Sequence, residues 1–367
     1  MRKTFKYRIY PSKRQKRLLK ATLEECRWLY NELLAQRRDS WQNHQKSLTL
    51  YGQQSTYQQL KATRSSLRSV HSQVLQNVAV RIDLALKAFF RRVKTGEKPG
   101  YPRFRGKDRY DSFTFPQSGF KVISEKSLVR LSKIGSVKII LHRPVEGEIK
   151  TCTVRRTATD KWFVCFSCAW EPTALPENTD EIGLDLGIRK FATMSDGRQI
   201  NNPRFFKTEE RALARSQRKL AKQTKGTPER ERARRVIARV YERLRWKRDN
   251  FVHQHSRRLV DRYGFIAIED LEVNRMVHNK CFAKSILDVA WSQFSSLLSI
   301  KAEWASRKVV RVNPAYTSQT CSACGHRQTI PLSQTVFDCL CCGLKLDRDH
   351  NAAKNILALG RQCLAKA

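Results

Sequence analysis

Apolar residues recur every three or four positions in two early stretches of the chain. The first set is Leu19, Leu23, Cys26, Tyr30 and Leu33. The second set is Leu75, Val78, Ala79, Ile82, Leu86 and Phe89. This spacing places each set on one face of an α-helix. Ser12 and Gln15 have the spacing of a capping box, so we expect the first helix to begin just after Ser12. The pattern predicts a helical lobe over residues 12–111, with a basic, Pro- and Gly-rich loop at 96–106.

Short runs of β-branched and aromatic residues replace the helical pattern from Phe113 to about Trp170. The runs are Phe113–Phe115, Val137–Leu141 and Lys161–Phe166, and turns with Gly119, Gly135 and Gly147 separate them. Such runs predict a small antiparallel barrel or sandwich. We expect the strand Lys6–Tyr10 to join it, so that residues 1–11 and 112–172 form one β-domain.

The second half of the chain mixes strands and helices after a linker at residues 171–178. The expected strands are Ile182–Leu186, Lys190–Met194, Phe265–Ile268 and Lys308–Val312. A long basic helical hairpin breaks at Lys225–Pro228, with Thr227 as N-cap and Pro228 at the first helical position. A further helix is expected over Trp291–Trp304. The sequence thus predicts an α+β multidomain protein whose last domain spans residues 178–367.

Charge is the strongest compositional signal. The 367 residues include 72 Lys and Arg against 33 Asp and Glu, a net charge of +39. Such a field attracts a polyanion, for which nucleic acid is the first candidate and an anionic membrane surface the second. The sequence has no run of eighteen apolar residues, so we expect no membrane span. Its N-terminus lacks the apolar segment of a secretion signal, and we expect a cytoplasmic protein.

Four cysteines near the C-terminus have the spacing of a zinc site. They form the pairs Cys321-Ser-Ala-Cys324 and Cys339-Leu-Cys-Cys342, each followed by Gly. Two CxxC turns bring four thiolates within tetrahedral reach, and the glycines permit the tight turns. We expect one structural Zn²⁺, because a closed four-thiolate site has no open position. Cys341 could replace Cys342, although Cys339-x-Cys341 is poor spacing for this turn.

Cys165 and Cys168 repeat the CxxC spacing in a different context. They fall in a predicted strand, where residues three apart face opposite sides, and no second pair lies nearby. We therefore expect buried thiols rather than metal ligands. The eleven cysteines, without a secretion signal, indicate a reducing compartment in which paired cysteines more often bind metal than form disulfides.

Asp185 is the first of three candidate catalytic acids. In the strand Ile182–Leu186 the apolar side chains point to one side, and Gly183, Asp185 and Gly187 share the other. We expect the two glycines to clear that face for a metal ion and a phosphate. A lone GxDxG is weak evidence, and an ordinary Gly-Asp turn is the alternative.

Glu269 and Asp349 complete the candidate set. Glu269 ends the apolar strand that starts at Phe265, and its neighbour Asp270 is the competing residue. Asp349 opens the last helix, where an acid is also expected simply to stabilise the helix N-terminus, and Asp347 is the alternative ligand. If the three acids converge, they could hold Mg²⁺, which favours a few carboxylates together with water and substrate phosphate. Two ions about 4 Å apart would promote phosphodiester hydrolysis.

Four motifs in fixed order resemble those of the TnpB (OrfB) proteins of insertion sequences. They are Gly183-Leu-Asp185-Leu-Gly187, Ile268-Glu269-Asp270-Leu271, Tyr316-Thr-Ser-Gln-Thr-Cys321-Ser-Ala-Cys324-Gly325 and Asp347-Arg-Asp349-His-Asn351-Ala-Ala-Lys-Asn355-Ile356. The stretches Tyr7–Pro11 and Gly100–Arg105 match as well, so the resemblance covers nearly the whole chain. One departure is Leu346, where family members often carry His.

The resemblance implies a compact, transposon-encoded relative of type V CRISPR effectors. It implies an RNase H-like (RuvC) nuclease domain at 178–367 with a zinc ribbon inserted at 314–346. It further implies a wedge β-barrel at 1–11 and 112–172 that carries a helical recognition lobe at 12–111. Such proteins bind a guide RNA, recognise a short adjacent motif and cleave double-stranded DNA, with catalytic acids at Asp185, Glu269 and Asp349. A prokaryotic, nucleoid-associated location and the absence of a small-molecule substrate follow from the same resemblance.

Basic and aromatic residues supply candidate nucleic-acid contacts. The segment Arg204–Asn250 holds 17 Lys and Arg against 6 acids. The candidates within it are Arg218, Lys219, Arg234, Arg235, Arg245 and Lys247. Each could equally lie on a solvated helical face, but the collective excess favours a polyanion. Tyr101, Phe104 and Trp28 could stack on bases, although core packing would equally explain Trp28.

Three other functions compete with a nuclease. A non-catalytic nucleic-acid-binding protein would keep the charge and the zinc ribbon while the acids serve as helix caps. An actin-like phosphotransferase also carries Gly-x-Asp-x-Gly, but it needs a second glycine-rich phosphate loop and an adenosine pocket that the sequence lacks. A tyrosine transposase needs His-hydrophobic-His, whereas His253-Gln-His255 has a polar centre.

Overall fold

The chain forms two compact units, Met1–Glu171 and Pro172–Ala367. The computed structural model describes residues 1–278, 283–331 and 333–365. Among the helices in these ranges, none is long and apolar enough to cross a membrane.

A curled seven-stranded antiparallel sheet is the core of the first unit. Its strands are β1 (Arg2–Tyr10), β2 (Ser112–Phe115), β3 (Phe120–Ile123), β4 (Leu128–Leu131), β5 (Gly135–Ile140), β6 (Glu148–Arg156) and β7 (Trp162–Ala169). The strand order β2-β6-β7-β1-β5-β4-β3 leaves β2 and β3 as the edges. The rings of Phe115 and Phe120 on these edges lie 6.4 Å apart, so the sheet is a nearly closed barrel.

The N-terminal strand joins this barrel as predicted, but it begins at Arg2 rather than Lys6. It pairs with β7 from Arg2 opposite Ala169 to Ile9 opposite Trp162. Charged residues alternate with inward-facing Phe5, Tyr7 and Ile9, so the strand extends further than its apolar run indicates.

Helices inserted between β1 and β2 form the lobe. They are α1 (Lys13–His44), α2 (Leu50–Ser55), α3 (Tyr57–Thr63), a 3₁₀ turn (Ser65–Ser69) and α4 (Ser72–Lys94). The predicted capping box is confirmed: Gln15 N–H donates to Ser12 Oγ (3.3 Å) and Ser12 N–H donates to Gln15 Oε1 (2.9 Å). All five apolar residues of the first predicted face are buried in α1. In α4 all of the predicted face except the half-buried Phe89 is buried.

The second unit is built on a five-stranded mixed sheet. Its elements are β8 (Glu181–Leu186), β9 (Lys190–Met194), β10 (Gln199–Asn201), α5 (Phe205–Ala221), α6 (Pro228–Arg262), β11 (Phe265–Glu269), α7 (Val273–Met276), α8 (Ala283–Val289), α9 (Trp291–Trp304), β12 (Lys308–Val312), β13 (Val336–Asp338), β14 (Lys345–Asp347) and α10 (Arg348–Ala365). The sheet order is β10-β9-β8-β11-β12, in which β8, β11 and β12 run parallel. The predicted hairpin is α5 and α6, with the Thr227 hydroxyl accepting from Arg230 N–H.

Helix α10 lies against β8 and β11 at two glycines. A Cβ at Gly183 would lie 2.2 Å from the Ala353 carbonyl oxygen, and one at Gly360 would lie 2.5 Å from Ala267 Cβ. The expectation that Gly183 clears space for a ligand is therefore wrong: this glycine is needed because the backbone of α10 occupies that space. The ion pair of Arg361 with Glu181 (2.5 Å), taken with the contact between Ala353 and Gly183, shows that α10 runs antiparallel to β8.

Candidate active site

Asp185 and Glu269 lie side by side at the carboxyl end of two parallel strands. Ile268 pairs with Leu184 in register, so the next residue of β11 falls beside Asp185 on the same face of the sheet. Glu269 is the last residue of β11 and is only 7% exposed.

The antiparallel course of α10 brings Asp349 to the same level. Ala353 lies over Gly183. Asp349 lies four residues before Ala353 in the helix, a distance of about 6 Å along the axis. Asp185 lies two residues after Gly183 in the strand, a distance of about 6.6 Å in the same direction. Asp349 is in the first turn of α10 and its side chain is 32% exposed. The structure thus brings all three predicted acids together.

The carboxyl groups perturb one another. Burial, followed by the charges of Glu269 and Asp349, raises the pKa of Asp185, while nearby Arg348 partly offsets the rise. The pKa of Glu269 is also raised, mainly by burial and further by the charge of Asp349. Hydrogen bonds from the Thr317 hydroxyl and the Leu186 N–H oppose this rise. Clustered, partly desolvated carboxylates are unfavourable without a cation, so the site suits a divalent ion.

The two competing acids are exposed and have other partners, although the charge of Asp347 still contributes to the raised pKa of Asp185. Asp270 is 63% exposed and pairs with Arg311 at 3.7 Å. Asp347 accepts hydrogen bonds from the N–H groups of Asp349 and His350 (both 3.0 Å), so it caps α10. Geometry therefore favours Glu269 and Asp349 over these neighbours.

The donor set fits Mg²⁺ in an open arrangement. Carboxylate oxygens are the hard ligands that Mg²⁺ prefers, with remaining positions left for water and phosphate. Across residues 1–278, 283–331 and 333–365, the ligand atoms of the acid trio do not all lie within 4.8 Å of one another, whereas those of the cysteine quartet do.

Residues outside the predicted set orient these acids. Thr317 donates to Glu269 Oε1 (3.2 Å), and Asn351 and Asn355 of α10 hold the loop that carries Thr317. Both asparagines belong to the motif Asp347–Ile356, and their i, i+4 spacing places them on one helical face. His350 Nε2 lies 3.1 Å from the Ser195 carbonyl oxygen and fixes the start of α10 against the β9–β10 turn.

The four predicted zinc cysteines converge. The Cys321 and Cys342 sulfurs are 3.6 Å apart, as are those of Cys324 and Cys339. A tetrahedral zinc with Zn–S bonds of about 2.3 Å has S···S edges of about 3.8 Å, so the quartet fits this ion. Cys341 is exposed and lies outside the cluster.

The turns around this cluster follow the predicted pattern. Gly325 and Gly343 have φ of +76° and +72°, which favours glycine. Their N–H groups donate to the carbonyls of Cys321 and Cys339 (both 3.0 Å). By contrast, Cys165 and Cys168 lie in β7, the first half-buried and the second buried, as expected for structural thiols.

The candidate nucleic-acid residues lie at the surface. All six basic candidates of α5 and α6 are exposed. Three of them pair with acids of the same unit: Arg235 with Glu231, Arg245 with Asp249 and Lys247 with Glu209. Tyr101 and Phe104 are exposed, whereas Trp28 is partly buried against the core of the first unit, so core packing explains Trp28.

Three family models match the chain. A model described as "Probable transposase" (OrfB, IS605) matches residues 163–280, and a Cas12f1-like TNB domain matches residues 291–356. A model described as a helix-turn-helix domain matches residues 1–46, where the structure has β1 and the single long helix α1.

Curated relatives align along almost the full chain. A Streptomyces pristinaespiralis protein named "Putative RNA-guided DNA endonuclease" is 31% identical over 98% of this chain and 90% of its own length. An Escherichia coli protein with the same description, InsQ, is 30% identical over 98% of this chain and 93% of its own length.

Solved structures share the fold. The Cas12f1 chain of a Cas12f1–sgRNA–target DNA complex matches with a TM-score of 0.56 at 14% identity, over 97% of this chain and 98% of that one. The predicted α+β multidomain fold class, with a β-barrel, a helical lobe, a RuvC-like unit and a zinc-binding domain, is confirmed. The chain belongs to the TnpB (OrfB) family of IS605-type insertion sequences.

Proposed function

We propose that the protein is an RNA-guided, Mg²⁺-dependent endonuclease that cleaves double-stranded DNA next to a short adjacent motif. The observation that carries this proposal is the convergence of Asp185, Glu269 and Asp349 from three separate segments at the carboxyl end of the parallel strands β8 and β11. Full-length similarity to proteins named as RNA-guided DNA endonucleases supports it.

The three acids would hold two Mg²⁺ ions, which when bound activate water and stabilise the departing 3′ oxygen. Other residues of the chain orient the three acids and reduce the repulsion among them. Leu186 N–H and the Thr317 hydroxyl aim the Glu269 carboxylate into the site. Asp347 caps α10 and thereby fixes the first helical turn, from which Asp349 projects. The Arg348 guanidinium lies 3.6 Å from Asp349 Oδ1 and limits charge repulsion among the acids.

We assign one structural Zn²⁺ to Cys321, Cys324, Cys339 and Cys342. Four thiolates leave no position for water or substrate, so the ion would stabilise the ribbon and would not react. The domain assignment follows the same proposal: a wedge barrel at 1–11 and 112–172, a recognition lobe at 12–111, a RuvC-like domain at 178–367 and a ribbon at 314–346.

Guide RNA and target DNA are the proposed partners. A heteroduplex held through its backbone needs diffuse positive charge, which the net charge of +39 supplies. The exposed residues Arg218, Lys219, Arg234, Arg235, Arg245 and Lys247 are proposed phosphate contacts, and Tyr101 and Phe104 are proposed stacking residues.

Guide-programmed cleavage tests the proposal. The protein is purified with its co-expressed RNA and challenged with matched and mismatched duplexes in Mg²⁺. We expect cleavage of the matched duplex only, and a loss of at least about a thousandfold in Asp185→Ala, or roughly 4 kcal/mol of transition-state stabilisation. Asp270→Asn, which changes an exposed acid next to Glu269, should retain activity. Cleavage that ignores guide sequence would contradict the RNA-guided assignment, and the absence of cleavage would favour a non-catalytic binding protein.

A further inference from the structure

A short loop connects the two candidate metal sites. Pro314–Ser322, here called the site loop, follows β12 and carries the first zinc cysteine, Cys321, near its end. The loop therefore extends from the carboxyl end of the parallel strands, where Glu269 lies, to the cysteine cluster.

In the first half of the site loop, Thr317 contacts the proposed catalytic acid Glu269. Thr317 is 4% exposed, and its hydroxyl lies 3.2 Å from Glu269 Oε1 and 3.1 Å from the Pro314 carbonyl oxygen. A hydroxyl has one proton to donate. When Glu269 is ionised, the carboxylate is the stronger acceptor, so the proton is directed to Glu269.

At its second half the site loop is held by α10. Asn351, fully buried, donates to the Thr320 carbonyl (2.7 Å) and accepts from Ser322 N–H (2.9 Å), on either side of Cys321. Asn355 donates to the carbonyls of Thr317 (2.8 Å) and Thr320 (2.7 Å). Because the same helix begins with Asp349, these amides fix the loop relative to a second catalytic acid.

The backbone of the loop is strained at Tyr316. This residue has φ of +66°, an unfavourable conformation for a bulky side chain, and the Arg327 guanidinium lies 3.1 Å from its ring centroid. Strain of this kind persists only where surrounding contacts hold it. The amides of Asn351 and Asn355, together with the helical turn made by Gln319 and Thr320 N–H to the Tyr316 carbonyl, supply those contacts.

We propose that Thr317 and Asn355 are positioning residues that, with Asn351, hold the Glu269 carboxylate at the geometry that Mg²⁺ requires. This inference rests on the proposed nuclease function. Hydrogen bonds to a metal-binding carboxylate orient it, and their loss commonly weakens metal binding tenfold or more. We therefore expect their loss to lower the affinity of the site for the ion.

Mg²⁺ titrations of matched variants test this role. In Thr317→Val the half-saturating Mg²⁺ concentration for cleavage should rise roughly tenfold, while the rate at saturating Mg²⁺ stays within about twofold. Thr317→Ser keeps the hydroxyl and should restore the wild-type value. Thr329→Val, on the exposed surface of the ribbon, is the control and should behave as the wild type. Mg²⁺ should also raise the thermal midpoint of unfolding, measured without nucleic acid. In Thr317→Val, this rise should require higher Mg²⁺ concentrations than in the wild type.

Asn355→Ala probes the connection to the helix, with the exposed Gln362→Ala as its control. We expect a similar rise in half-saturating Mg²⁺, and no larger rise when it is combined with Thr317→Val, because both changes act through one loop. One zinc per chain should remain in each variant. If the wild type cleaves but Thr317→Val and Thr317→Ser match it at every Mg²⁺ concentration, the positioning role is wrong. If the wild type neither cleaves nor responds to Mg²⁺, the proposed function itself fails.

Discussion

The two candidate metal sites of the second unit are built in opposite ways. The cysteine site takes its ligands from residues 321–342, and its ligand atoms all lie within 4.8 Å of one another. The candidate acid site draws on β8, β11 and α10, between residues 185 and 349, and its Asp349 side chain is 32% exposed. A closed set of soft thiolates suits a structural zinc, whereas an open set of hard oxygens leaves positions for water and phosphate.

The comparison shows that local spacing and tertiary packing define the two sites separately. The cysteine site needs only two turns of backbone with glycine at positive φ. The acid site exists only if α10 lies close against β8, because Asp349 reaches Asp185 through that contact. Changes that affect one site and spare the other therefore test the account.

Removal of a zinc-binding thiolate should have the most severe consequence for stability. Cys339→Ala should abolish zinc binding and unfold the ribbon, because structural zinc supplies roughly 10 kcal/mol or more to small domains of this kind. Cys341→Ala removes an exposed thiol two residues away and should keep one zinc per chain. Elemental analysis and hydrogen exchange of residues 321–347 measure both. Equal zinc loss in the two variants would contradict the ligand assignment.

A smaller effect is expected where α10 meets the sheet. Gly183→Ala places a methyl group 2.2 Å from the Ala353 carbonyl oxygen, so α10 must shift, at a cost of roughly 3 kcal/mol of unfolding free energy. Asp349 moves with the helix, and cleavage should fall while zinc content is unchanged. Gly100→Ala, where a Cβ would have nothing within 4 Å, is the control for chemical denaturation. Wild-type stability in Gly183→Ala would show that the close packing is not required.

The smallest expected effect is a gain in stability. The pKa of Asp185 is raised in the folded state by burial and by the neighbouring acids, so its ionised form destabilises the metal-free protein above the unfolded pKa. Asp185→Asn should therefore raise the unfolding free energy by about 1–2 kcal/mol at pH 8 without Mg²⁺. The difference should shrink as the pH falls, because protonation relieves the same repulsion in the wild type. With added Mg²⁺, the wild type should become more stable than Asp185→Asn. If Asp185→Asn is less stable than the wild type at every pH without Mg²⁺, the electrostatic explanation is wrong.

Most elements of the fold follow from the sequence because their signals are local. The capping box at Ser12, the N-cap at Thr227 and the helix Trp291–Trp304 all lie where the pattern predicts them. The start of β1 was missed because charged residues alternate with its buried ones, and pairing with β7 extends the strand.

The candidate site was only partly predictable. The three acids could be selected because each belongs to a motif of the family resemblance and lies at or next to the end or start of its element. The role of Gly183 was misjudged, since only tertiary structure reveals that α10 covers it. Thr317 belongs to the motif Tyr316–Gly325, but the motif does not show which residue it contacts, and Glu269 lies 48 positions earlier in the chain.

Divalent-ion binding by the three acids distinguishes the assigned ligands from the acids beside them. Mn²⁺ replaces Mg²⁺ as a paramagnetic probe, and the free ion is titrated by electron paramagnetic resonance in the absence of nucleic acid. The wild type and Asp270→Asn should bind Mn²⁺ alike, whereas Glu269→Gln should lose most of that binding, although the two positions are adjacent in the sequence. Binding that survives in Glu269→Gln, or that is lost in Asp270→Asn, would contradict the assignment of this site.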